Sequence, residues 1–185
     1  MSGGPVQRAR IRTIAPSLAL ALAAALGAQT AAPAPATNES RGTVCHDSLF
    51  QQLVGDWTMT GAVKGKPVSY RMHAEWVLQH TFFRIEMQDA AEPSEYQAMV
   101  YIGYDNVGDR FVAHWIDVFG GRFSETLGYG KRDGNAITFQ FDYPDAPFFT
   151  TFTRDTASDG FRLEMKDHLA DGSWRSFASW RLVRR

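Results

Sequence analysis

From Asp56 to its last residues the chain is written in a period of two, broken at regular intervals by turn residues. Ile137, Phe139, Phe141 and Tyr143 alternate with Thr138, Gln140 and Asp142; Phe161, Leu163 and Met165 alternate with Arg162, Glu164 and Lys166. Alternation of this kind puts apolar side chains on one face of a strand and polar ones on the other. The interruptions carry hairpin chemistry: Lys64-Gly65-Lys66-Pro67, Asp105-Asn106-Val107-Gly108-Asp109, Gly120-Gly121, Asp133-Gly134-Asn135, Asp159-Gly160 and Asp171-Gly172. Glycine takes up positive φ there at little steric cost, and Asp or Asn closes the turn with its own side chain. Ten strands are predicted, over residues 56–63, 68–78, 81–89, 95–104, 110–118, 122–130, 136–143, 148–154, 161–168 and 174–183. No segment after Val54 has the length and period of a core helix, which argues against doubly wound and α+β layouts. A meander of hairpins leaves two exposed edges unless it closes on itself. The expected fold is therefore all-β, a roughly ten-stranded antiparallel up-and-down barrel. Ahead of it, residues 45–54 suit a short helical turn, with Asp47 or Ser48 as N-cap and Leu49, Phe50 and Leu53 apolar.

The start of the chain has a different character. Arg8, Arg10 and Arg12 precede an apolar run from Leu18 to Leu26 and then Gly27 and Ala28, the layout of a secretory signal peptide over residues 1–28. That run is far short of the ~20 residues that span a bilayer, so no membrane span is expected. Residues 29–43 are rich in Ala, Pro and Thr and lack any apolar period, as in a disordered linker. Residues 44–185 then form a single barrel domain, placed by the leader in the periplasm or outside the cell. Loss of the leader lowers Lys+Arg from 19 to 16 against 20 Asp+Glu, about −4 in all. A mildly acidic chain argues against nucleic acid as a partner. Cys45 is the only cysteine, so an intramolecular disulfide and a c-type haem attachment are both excluded. An intermolecular disulfide is the one alternative to a free thiol.

Gly55-Asp56-Trp57, at the head of the first strand, resembles the Gly-X-Trp signature of lipocalin-like (calycin) barrels. The resemblance implies that an arginine of the final strand stacks across Trp57 and closes one end. Arg181 or Arg184 is placed to do so, and Arg181, inside the last apolar run, is the one expected; the contact would be cation–π. The run Tyr101-Ile102-Gly103-Tyr104-Asp105, with Trp115-Ile116-Asp117 and Gly128-Tyr129-Gly130, looks like a family of often secreted bacterial proteins with a lipocalin-like barrel and a domain of unknown function. That likeness implies the fold and no activity. Nitrobindin-like barrels, which bind haem, are a second resemblance. Their glycine-rich run and Tyr-Pro after the first Trp are missing here, where Thr58-Met59-Thr60-Gly61-Ala62 stands instead.

Small barrels commonly hold an apolar molecule, which makes the leading expectation a small hydrophobic or amphipathic ligand. Trp76, Phe82, Tyr101, Trp115, Phe139 and Phe141 are the candidate lining residues, and Arg84 the candidate polar anchor. With Glu75 and Glu86, Arg84 could equally form ordinary outward cross-strand ion pairs. The main alternative is an enzyme using Asp117 and Glu125, placed near one another by a hairpin at Gly120-Gly121, as an acid/base pair. His114 and Asp117 point to opposite faces of one strand and cannot serve one pocket together without a bulge. His46, His73, His80, His114 and His168 contain no close pair of metal-ligand spacing, so no metal site and no cofactor is expected. Were haem bound after all, His114 and His168 would be its ligands. A last alternative is an envelope interaction module or homodimer using partly apolar outer strand faces.

Overall fold

The structure, a computed structural model, describes residues 47–185. The leader, the linker, Cys45 and His46 lie outside the described residues. The element order is α1 (Ser48–Leu53), β1 (Gly55–Val63), β2 (Lys66–Val77), β3 (Phe82–Asp89), β4 (Gln97–Asp105), β5 (Arg110–Asp117), α2 (Gly121–Ser124), β6 (Leu127–Asp133), β7 (Ala136–Asp142), β8 (Pro147–Asp155), β9 (Gly160–His168) and β10 (Trp174–Arg184). Every strand pairs antiparallel with its sequence neighbours, and β1 pairs with β10 to close the barrel. The ten predicted strands are all present. The largest boundary shift is in β6, which begins at Leu127 because residues 121–124 form α2 in place of a tight hairpin.

Inside and outside alternate residue by residue. Trp57 and Met59 of β1, Phe83, Ile85 and Met87 of β3, and Leu163 and Met165 of β9 point inward and are buried. The inward positions of β6 are glycines, and the reason lies on β7. A Cβ on Gly128 would come within 2.5 Å of the Phe141 ring, and one on Gly130 within 2.8 Å of Phe139. The two rings fill the space that β6 leaves open, an exchange of side-chain volume across one strand pair.

One end of the barrel is shut by α1. Asp47 caps the helix, its Oδ1 accepting the Leu49 N–H at 2.7 Å. Phe50 drops into the barrel, its ring 5.1 Å from that of Phe83 and 5.4 Å from that of Phe111. Three arginines from alternate strands fasten the helix from outside. Arg132 donates to Asp47 at 2.8 Å, Arg154 to Gln52 at 2.8 Å, and Arg184 to the carbonyls of Gln52 and Val54, each at 2.8 Å.

Arg184 also lies over the Trp57 ring, 4.3 Å from its centroid, while Trp57 Nε1 donates to the Leu53 carbonyl at 2.8 Å. The expected Arg181 is not the closing residue. It stands between the inward Trp180 and Leu182, so the strand period turns it to solvent, whereas Arg184 shares their face. The glycine of Gly55-Asp56-Trp57 follows from the same arrangement: Gly55 has φ 120°, and a Cβ there would sit 2.8 Å from Arg184 Nη1.

Candidate functional site

The closed half of the barrel is packed solid and the opposite half is not. Phe50, Trp57, Phe83, Phe139, Phe152 and Phe161 fill the half beneath α1, each no more than 1% exposed. Toward the other end the inward side chains draw apart around a cavity of about 1050 Å³. That is at the upper end of the range for small-molecule sites.

The cavity wall is largely aromatic. Tyr70 of β2 is stacked with Tyr96 at 5.6 Å and tilted against Trp180 of β10 at 5.5 Å. Across the lumen, Phe141 stacks on Tyr143 with 9° between the planes, and Tyr143 leads through Phe148 to Phe177. Phe177 reaches the lumen through a register shift between Ser176 and Ala178 against β9, which interrupts the alternation of β10. Phe119 and Phe123, on the segment carrying α2, line the mouth while remaining 66% and 52% exposed.

Polar groups are few and specifically held. Asp89 ends β3 buried, and its carboxylate gathers the 90–96 loop by accepting the N–H groups of Ala91 at 3.2 Å, Glu95 at 2.9 Å and Tyr96 at 2.6 Å. This turns Tyr96 into the wall. From Trp115 a donor chain runs outward: its Nε1 donates to the Tyr96 hydroxyl at 3.2 Å, which points to Asp117 Oδ2 at 3.5 Å. Asp117 Oδ1 accepts the Phe119 N–H at 3.0 Å and fixes the mouth segment. Burial first, and the neighbouring Asp117 charge among the lesser causes, push the Tyr96 phenol far above its ordinary range. Tyr70 and Tyr143 are raised for the same two reasons, with Asp89 acting on Tyr70 and Asp117 on Tyr143. All three phenols stay protonated, and able to donate, at neutral pH. The Trp180 indole N–H is buried without a hydrogen-bond partner among the described residues.

Asp89→Ala leaves three backbone N–H groups without their acceptor. It is expected to cost about 2–3 kcal/mol, read as a lower urea midpoint, and to loosen the Tyr96 wall of the cavity. An unchanged midpoint would mean that the 90–96 loop holds itself.

Of the residues expected to line a pocket, Trp115 and Phe141 do so. Phe139 points inward but belongs to the packed half, edge-on to Phe152. Trp76 is likewise inward at the closed end, where its Nε1 donates to Gln51 Oε1 at 3.0 Å. Phe82, Arg84 and Tyr101 are corrected: they lie on the outer face, because Phe83, Ile85, Val100 and Ile102 take the inward positions of β3 and β4. There Arg84 pairs across strands with Glu75 on β2 and along its own strand with Glu86 at 3.2 Å.

Asp117 faces the cavity and Glu125 does not. Glu125 is an exposed C-cap of α2, so the expected carboxylate pair is not assembled in the lumen. The hairpin that would have brought the two carboxylates together is replaced by that helix. His114 turns outward and donates Nε2–H to the Ser124 carbonyl at 2.7 Å; His168 packs on Trp174, 4.6 Å between rings. Neither lines the cavity, which removes both expected haem ligands from it. Among the described residues no group of three His, Cys, Asp or Glu side chains is placed to hold a metal ion, and no helix is long and apolar enough to cross a membrane.

Tyr70, Tyr96, Tyr143, Phe148 and Trp180 are wall residues that the sequence reading passed over. For Tyr70 and Trp180 the signal was present, since both stand on the apolar side of an alternating run with Met72 and Leu182.

Comparison with protein families is decisive at the level of kinship. A family described as proteins of unknown function, DUF1579, matches residues 45–184. The chain belongs to DUF1579. The match spans α1 and all ten strands, so plug, barrel and cavity fall inside the region shared with the family. No curated protein matches the chain. Membership of DUF1579 carries no activity with it, and chemistry has to be argued from the cavity.

Proposed function

We propose that this protein binds a small hydrophobic or amphipathic molecule in the open half of its barrel, and that it does so in the periplasm or outside the cell. The observation carrying the reading is the contrast between a solidly packed closed half and an aromatic cavity of about 1050 Å³ in the other. A barrel needing only a core would have filled both halves, because unfilled apolar space costs stability. The rings supply apolar burial at ~25 cal/mol per Å². The basic-then-apolar start of the chain supports export.

The test is native mass spectrometry of the protein purified from its own host, with an absorbance spectrum of the same sample. A discrete extra mass that is released on denaturation is expected. Trp115 and Trp180 stand in the wall, so rebinding of the released compound should also change tryptophan fluorescence. An apo mass, together with no fluorescence response to apolar compounds, would overturn the reading.

A further inference from the structure

The charges around the cavity are one-sided. Among the described residues its charged lining consists of the carboxylates Asp89, Glu95 and Asp117 and a single cation, Lys64; no arginine or histidine is among them. Among the described residues none of the three carboxylates has a cationic partner within 4.0 Å, although ion pairs are common elsewhere on the barrel. Asp89 is saturated by backbone N–H groups. Asp117 is not: among the described residues its Oδ2 has only the Tyr96 hydroxyl, at 3.5 Å, and it stands at the mouth beside the exposed rings of Phe119 and Phe123. Lys64 is turned toward a ring, its Nζ 5.0 Å from the Phe177 centroid, so a cation already rests on the aromatic wall.

Aromatic faces are negative at their centres and attract cations, most strongly where water is displaced. A carboxylate-headed amphiphile would meet a net negative wall with one lysine to receive it, and like charges brought together in a partly dry site repel. We propose that the ligand of this cavity is an organic cation, an amphiphile whose tertiary or quaternary ammonium head sits beside Asp117 against the Tyr96 and Trp115 rings, with its apolar body running down between Phe141, Phe148 and Trp180. This proposal rests on the cavity-binding reading and narrows it to one charge class. Asp117 is the specificity-determining residue, replacing the outward-facing Arg84 as the polar anchor.

The experiment compares three probes with ten-carbon chains by calorimetry, decyltrimethylammonium, decanol and decanoate, below the micelle-forming concentrations of the two ions and the solubility limit of the alcohol. The cation is expected to bind about tenfold more tightly than the alcohol, and the carboxylate more weakly than either. Asp117→Asn should weaken the cation about tenfold while changing decanol less than about twofold. Glu95→Gln, which removes a mouth carboxylate without touching the Phe119 hydrogen bond, should act in the same direction. Added salt should weaken the cation alone. If decanol or decanoate binds as tightly as the ammonium, or if Asp117→Asn affects decanol and the cation alike, the charge assignment falls and the cavity stands. If none of the three binds, the cavity-binding reading falls and takes the charge assignment with it.

Discussion

Trp57→Ala is expected to cost the barrel about 3–5 kcal/mol, enough to leave a domain of ordinary stability barely folded. Trp57 is fully buried, lies edge-on to Phe161 at 5.5 Å, donates to the Leu53 carbonyl and carries the Arg184 guanidinium on its outer side. Its loss opens a cavity under α1 and removes the ring that joins the plug helix and the first strand to Arg184 of the last. Trp57→Phe keeps most of the ring and loses the N–H, so its cost should be about 1–2 kcal/mol. Urea unfolding followed by circular dichroism reads both. Equal midpoints for the two variants would show that packing volume is irrelevant at this position.

Gly61→Ala is expected to be nearly as damaging, by about 3 kcal/mol or more, although it adds a single methyl group. Gly61 pairs with Trp180 across the seam that closes the barrel. A Cβ there would stand 1.9 Å from the Ser179 carbonyl oxygen and 2.8 Å from the Trp180 Cα. Both are backbone atoms, so relief requires β1 and β10 to separate and their hydrogen bonds to stretch. Gly121→Ala is the control: it lies at the start of α2 with nothing within 4 Å of the added Cβ, and it should be neutral to within about 0.5 kcal/mol. A Gly61→Ala midpoint equal to that of the control would place slack in the seam.

The barrel was legible because hairpin turns and the strand period are local signals. Asp105 to Asp109, or Asp133-Gly134-Asn135, mark a reversal whatever surrounds them, and ten strands with no core helix leave few closed arrangements. Which face lines the lumen is harder, because a shift of one residue exchanges inside for outside. In β3 the answer was nevertheless written: Phe83, Ile85 and Met87 are all apolar, while Phe82 shares its face with Arg84 and Glu86. Phe82 and Arg84 stand on the opposite face from that longer apolar alternation, which is the one that faces the lumen. In β4 the apolar side is double, with Met99 and Tyr101 outside and Val100 and Ile102 inside, so alternation alone could not decide. Phe177 enters by a register shift and Tyr96 by a loop gathered around Asp89, and neither obeys a period. Arg181 and Arg184 differ by an odd number of residues, and the alternation that turns Trp180 and Leu182 inward selects Arg184. Asp117 and Glu125 were separated by a four-residue helix that no turn rule required.

The fastening of α1 by Arg132, Arg154 and Arg184 makes the barrel a blind vessel rather than a conduit. Whatever enters past Phe119 and Phe123 must leave by the same route, in reverse order, with the end that went in first coming out last. On the cavity-binding reading, the rim that carries Phe119 and Phe123 would govern residence time, and Asp117, which accepts the Phe119 N–H, would tie that rim to the choice of head group. A change to the plug would reach a bound molecule only by way of the fold.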